Sequence, residues 1–174
     1  MRRNFIDLNM NKTFSSIVLG VLILGGLIWA ARPDAEKKIP PPLASVSATL
    51  TALEANNYDF GTISMAAGKV KHEFKIKNTG TAAVNIEKMY TSCMCTTAVL
   101  RHGDKQFGPY GMPGHGMIPR IDQMIDPQKE ATIEVIFDPA AHGPAGIGRI
   151  KRVVTIENNA GQPLELEFAA TVTP

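Results

Sequence analysis

Cysteine is nearly missing from this chain, and its two copies stand one residue apart, at Cys93 and Cys95. That scarcity excludes several architectures. No pair of cysteines distant in sequence exists to bridge two sheets, as in immunoglobulin domains. A closed zinc site of four ligands is disfavoured, since such sites show paired Cys or His at regular spacings. No cysteine follows the apolar stretch near the N-terminus, which excludes a lipoprotein-type anchor. Other absences narrow the chemistry. Phosphate-binding loops and a G-x-S-x-G nucleophile elbow are missing. So is the C-x-x-C spacing of thioredoxin-like proteins, and nothing beside the cysteines matches a protease signature. Acidic residues are scattered, with no pair poised for glycoside chemistry. Positive charge is not in excess either. Of the chain's 18 Lys+Arg and 16 Asp+Glu, residues 45–174 hold twelve and thirteen. A stretch so close to neutral lacks the basic footprint of a nucleic-acid binder.

What is present begins with an uncharged run of 18 residues, Phe14 to Ala31. A spanning helix needs about 20 residues, and a secretory h-region only about 7–15. Cleavage after Ala30 or Ala31 would place Ile28 or Trp29 at the third position back, which a signal peptidase accepts poorly. Residues 14–31 therefore read as an uncleaved signal-anchor, with residues 1–13 as a short cytoplasmic tail. Trp29 suits the outer headgroup region. Basic residues tie across the run: Arg2, Arg3 and Lys12 precede it, and Arg32, Lys37 and Lys38 follow it. A first helix behind a short tail usually leaves that tail inside. The expected location is thus the inner (cytoplasmic) membrane, single-pass, with the C-terminal domain periplasmic or extracellular. Residues 32–44, with Pro40-Pro41-Pro42, read as a stiff Pro-rich linker.

Residues 45–174 carry the alternation of strands. Val70, His72, Phe74 and Ile76 share one face, and Lys71, Glu73, Lys75 and Lys77 the other. Asn78-Thr79-Gly80 then supplies a turn. Further strands are expected over Ala83 to Met89, Ala131 to Phe137, Ile150 to Glu157 and Leu164 to Val172. An earlier one is expected near Ala48 to Glu54, with a short edge piece from Tyr58 to Gly61. No helical period is visible beyond the membrane run. This pattern predicts an all-β fold, an immunoglobulin-like antiparallel β-sandwich of about seven strands, preceded by one transmembrane helix. The alternation stops between Leu100 and Gln128, and residues 101–128 read as one long Gly/Pro-rich loop. Loops of that length are often functional.

Several motifs occur in a familiar order. Phe60-Gly61 with Ile63 comes first, then His72-Glu73-Phe74 leading to Asn78-Thr79-Gly80. Ser92-Cys93-Met94-Cys95-Thr96 follows, and then Asp138-Pro139 and His142-Gly143-Pro144-Ala145-Gly146. Together they resemble the bacterial domain-of-unknown-function family 1573, whose usual motif is SCxCT, over roughly residues 50–172. The resemblance implies an immunoglobulin-like sandwich related to Hydin and major-sperm-protein domains, usually exported or membrane-anchored. It implies no biochemical activity. The middle residue of the motif is commonly Gly in such proteins, and here it is Met94.

Three uses remain open for Cys93 and Cys95. An extended backbone would put both side chains on one face, with Cα atoms about 6.5–7 Å apart. That is the upper edge of disulfide geometry, so a bridge would need a local turn or bulge. The pair could be structural, as buried thiols or as such a bridge. It could bind a soft metal, or exchange with a partner's thiol. Met112, His115 and Met117 are candidate supplementary ligands for copper, and His102 and Met124 lie nearby in sequence. The plain alternative is a loop whose methionines pack on the sandwich edge. Met94, His102 and His142 are possible supporting residues. His72 is expected to be a partly buried histidine bonded to backbone, and His142 to cap backbone in a shaped turn. A Cys–His pair would require His142 near Cys93. The function expected first is a non-enzymatic envelope module, anchored in the membrane, that meets an envelope protein partner. Copper binding and thiol-disulfide exchange are the alternatives.

Overall fold

The computed structural model describes residues 19–27 and 47–174. Residues 19–27 are helical, and Leu19, Val21, Leu22, Ile23, Leu24 and Leu27 are exposed. Among the described residues no helix is long and apolar enough to cross a membrane. The expected tail 1–13, the linker 32–44 and the two ends of the 14–31 run lie outside the described residues.

The second unit consists of two five-stranded sheets. Strands β1 (Leu50–Ala52), β3 (Val70–Asn78), β8 (Glu130–Phe137), β5 (Thr96–His102) and β6 (Lys105–Tyr110) form one sheet in that order. The other runs β2 (Asn57–Ser64), β10 (Leu164–Thr173), β9 (Gly148–Asn158), β4 (Val84–Thr91) and β7 (Gln123–Ile125). Alternation drives this arrangement. Phe74 and Ile76 of β3, Ile133, Val135 and Phe137 of β8, and Leu166, Phe168, Ala170 and Val172 of β10 all enter one shared core. Burying each such large apolar side chain contributes about 1.5–3 kcal/mol. His72 lies on the same inward side of β3 but near its rim. Its ring stacks on Tyr58 with centroids 3.6 Å apart and meets Phe74 edge-on at 4.5 Å. Ring packing, not the expected backbone hydrogen bond, holds this histidine. Burial lowers its pKa below the ordinary value, opposed by the charges of Glu54 and Glu73.

Three expectations need correction. Among the described residues the strands number ten rather than about seven. The sheets are not wholly antiparallel, because β2 pairs parallel to β10. The supposed loop 101–128 opens with the end of β5 and contains β6 and β7. A tight turn at Gly103-Asp104 joins β5 to β6, since His102 pairs with Lys105 and Gly103 takes a φ of +58°. Strand β6 lies at a sheet edge, where Pro109 needs no hydrogen-bonding partner. The pairing shifts between Ala98 and Leu100, and a Cβ on Gly108 would sit 2.9 Å from the Ala98 carbonyl oxygen. Gly and Pro thus shape this edge strand and hide its alternation. The true loop is residues 111–122.

One buried polar residue ties the sheets' ends. Asn78, fully buried, donates through Nδ2 to the carbonyls of Ala82 and Ile125 and accepts from the Gly80 N–H. On the outer face of the first sheet, Glu134 accepts from Lys71 at 2.9 Å and pairs with Arg101. The hydrogen bond from Lys71, with the Arg101 charge adding to it, holds the Glu134 carboxyl below its ordinary value despite burial.

Asn78→Ala removes the side-chain partner of three backbone groups, two of them buried, and should cost about 2–4 kcal/mol in urea unfolding. Lys75→Ala on the solvent side should stay within about 0.5 kcal/mol. Because the folded pKa of Glu134 is depressed, its contribution is complete above pH 4.5 and is lost as pH falls through the lower folded value. The urea midpoint of Glu134→Gln should therefore fall less than that of the unaltered protein between pH 7 and about pH 3.

Candidate functional site

The two cysteines lie in the connection that carries the chain from β4 in one sheet to β5 in the other. Only Ser92 to Cys95 are available for the crossing, so the backbone must turn sharply. Thr91, almost fully buried, directs its hydroxyl at the carbonyls of Cys93 and Thr96, each 3.0 Å away. The Thr96 N–H returns to the Cys93 carbonyl at 3.1 Å. Ser92 is fastened to β9: its N–H donates to the Val153 carbonyl, and its Oγ accepts from the Val153 N–H. This turn draws the Cys93 and Cys95 Cα atoms to 5.3 Å, inside disulfide range, and the two sulfurs are bonded. Of the structural readings, the bridge through a local turn is the one found. Both cysteines are buried, while Met94 at the tip is 49% exposed.

Two other segments complete the site. The β8–β9 connection docks beside the turn through Asp138, whose N–H donates to the Cys95 carbonyl at 2.9 Å. Asp138 also accepts from the Ala140 N–H, which starts the tight path to His142. There His142 departs from expectation. It makes no side-chain cap on the short 3-10 turn that follows. Instead its Nε2 lies 3.1 Å from Cys93 Sγ. The path is compact enough that a Cβ on Gly146 would come within 3.2 Å of the His142 Cβ. From β9, Arg152 brings Nε to 3.5 Å from Cys95 Sγ. Each sulfur therefore has a cationic or protonatable side chain against it. A cavity of about 100 Å³ opens beside Cys95, lined in part by Lys69, Met94, Thr97, Asp138 and Ala141.

The other candidates are distributed differently. The ligand atoms of Cys93, Cys95 and His142 lie within 4.8 Å of one another, and His115 is not in that group. The 111–122 loop leaves beside Thr91, where Gly111 accepts from the Thr91 N–H, and returns where Ile121 donates to Glu87. Along it His115 is exposed, Met117 is 89% exposed, and Met112 is half-buried. His102 ends β5, with Nδ1 3.1 Å from Gln123 Nε2, and Met124 is exposed on β7. With the sulfurs joined, neither is a thiolate ligand. Arg152 was missed in the sequence. It shares the inward side of β9 with Ile150, Val154 and Ile156 and pairs with Phe168, and a basic residue in that apolar series was the available signal.

Among curated proteins no relative matches. Among solved structures, a protein of unknown function from Porphyromonas gingivalis W83 superposes with a TM-score of 0.54 at 16% identity. The match covers 77% of this chain and 51% of that one, so the chain spans about half the length of that relative. PapD-like domain 7 of human CEP192 superposes with a TM-score of 0.43 at 12% identity, over 81% of this chain and 96% of that one. The YadV chaperone gives 0.43 at 10% identity, over 74% and 53%. The likeness to the Porphyromonas gingivalis protein is one of fold, a two-sheet β-sandwich. A family match runs over a shorter stretch than the motifs suggested and leaves out the His142 segment. Residues 51–106, with the cysteine turn inside them, match the family described as Protein of unknown function (DUF1573), the family that the Ser92–Thr96 motif resembles.

Proposed function

We propose that this chain is a membrane-anchored envelope module that engages a partner protein by reversible thiol-disulfide exchange at Cys93–Cys95. The observation that carries the reading is the contact of 3.1 Å between His142 Nε2 and Cys93 Sγ on a disulfide held in a surface turn. An imidazole so placed can protonate or stabilise the sulfur that leaves when the bridge opens. The uncharged run at residues 14–31 supports the anchor. A disulfide suits an oxidising compartment outside the cytoplasm.

The exchange balances as follows. A partner thiolate approaches through the cavity beside Cys95 and attacks its Sγ. The bond between the two sulfurs breaks, and its electron pair leaves with Cys93, which His142 stabilises. A second partner thiol then attacks the partner's sulfur in the mixed disulfide. Cys95 departs as a thiolate beside Arg152, and the partner is left oxidised by two electrons. The same steps reversed would oxidise the domain. Exposed Met94 and Lys69 flank the entry, so the partner's contact surface would include them.

Glutathione is a suitable probe. The native chain should be reduced by it without unfolding, as read by alkylation and intact mass. His142→Ala should slow that reduction about tenfold near pH 7. Cys93→Ser, which keeps Cys95 but removes the resolving thiol, should react with oxidised glutathione, release one reduced glutathione and retain the other half as a stable mixed disulfide. A bridge that opens only after urea unfolding would sink the proposal and leave the disulfide as a structural staple.

A further inference from the structure

Opening the bridge changes what the same side chains can hold. We infer that Cys93, Cys95 and His142, once the two sulfurs are free thiols, form a binding site for monovalent copper, and that closing the disulfide removes the site. The inference needs only the dithiol state. It does not require exchange with a partner.

The geometry carries it. The three ligand atoms already lie within 4.8 Å of one another. Two thiolates each about 2.3 Å from a shared metal stand about 3.8–4.0 Å apart. Freed sulfurs on Cα atoms 5.3 Å apart reach that separation by side-chain rotation. The donor set, two thiolates and one imidazole, is soft and favours monovalent copper. Zinc would find only three of the four protein ligands that its closed sites use.

The surroundings fit a thiolate–metal unit. Two thiolates with one monovalent cation carry a net charge of −1. Arg152 Nε, 3.5 Å from Cys95 Sγ, opposes that charge. The Cys95 N–H lies 3.2 Å from Cys93 Sγ and can donate to it, and Thr96 Oγ1 lies 3.6 Å from Cys95 Sγ. Burial of both cysteines strengthens these interactions over their value in water. Forming the site takes two electrons and two protons, delivered to the disulfide by a thiol or phosphine reductant. Loading copper then releases the thiol protons, so affinity should rise with pH. Met117, 89% exposed in its loop, has no place in this ligand set.

The test uses the full chain purified in detergent with its thiols kept reduced. Alkylation and intact mass confirm two free thiols before any metal is added. Monovalent copper is then titrated anaerobically against a chromophoric copper chelator. The reduced protein should bind one copper. The paired variant Cys93→Ser/Cys95→Ser and the oxidised protein should both bind at least about 100-fold more weakly. His142→Ala and His142→Gln should each lose about 10–100-fold, while Met117→Leu should be unchanged. Circular dichroism checks that every variant is folded. Reduced protein that binds no tighter than the paired serine variant would overturn the inference, as would unaltered affinity in both His142 variants. Displacement of the copper by an equal concentration of divalent zinc would overturn the choice of metal. Because the thiols are counted first, failure here leaves the exchange reaction standing.

Discussion

The short crossing between Thr91 and Thr96 is the constraint on which the rest of the site depends. Four residues carry the chain from one sheet to the other, between strands whose own partners are fixed elsewhere. Strand β4 is held by β9 and β7, and strand β5 by β8 and β6. Neither can yield without exposing core side chains such as Met89 or Leu100, both fully buried. The crossing must therefore be tight, and Thr91 makes it so by sharing the single proton of its buried hydroxyl between two carbonyls, each 3.0 Å away. The disulfide follows from that closure. In an extended strand the same two cysteines would sit at the limit of bridging range.

The site is assembled from both sheets. Cys93 and Cys95 belong to the β4–β5 crossing, His142 to the β8–β9 crossing, and Arg152 to β9. The two crossings meet because β5 and β8 pair directly, with Thr96 opposite Phe137. The Asp138 N–H then binds the Cys95 carbonyl immediately beyond the paired strands. A histidine and an arginine separated in sequence from the cysteines thus reach their sulfurs through ordinary sheet register. The sulfurs are buried, while Arg152 is half-buried and His142 is exposed, so the imidazole meets its sulfur from the solvent side. Both proposed chemistries draw on this arrangement, since Arg152 opposes thiolate charge in either case, while His142 would assist the leaving sulfur in one and ligate copper in the other.

How the sequence related to the fold depended on what each segment had to do locally. Strands β3, β8, β9 and β10 alternate cleanly, because one face of each packs into the core and the other meets solvent or a charged outer face. Their periodicity was legible to within a few residues. Strands β5, β6 and β7 were not legible as strands. Buried Ala98, Val99 and Leu100 form a run without alternation, β6 bends around Gly108 and Pro109, and β7 is only three residues long. Such segments are strands because neighbours supply their hydrogen bonds, which no local pattern encodes. The parallel pairing of β2 with β10 is likewise a property of topology.

By itself, the sequence determined that the C-terminal unit is built of β-strands, that its cysteines act as one adjacent pair, and that an uncharged run precedes it. Each of these follows from local composition or from period-two burial. Only the tertiary structure decided which partners the pair receives. Imidazoles at His115 and His142 were equally available in composition, and the Met112–Met117 stretch stood closer in sequence to the cysteines. The register of β5 against β8 brings His142 to Cys93 Sγ and leaves His115 exposed in its loop. Proximity in a sandwich is set by which strands pair and where the chain crosses between sheets, and those are long-range choices made by the packing of the whole core.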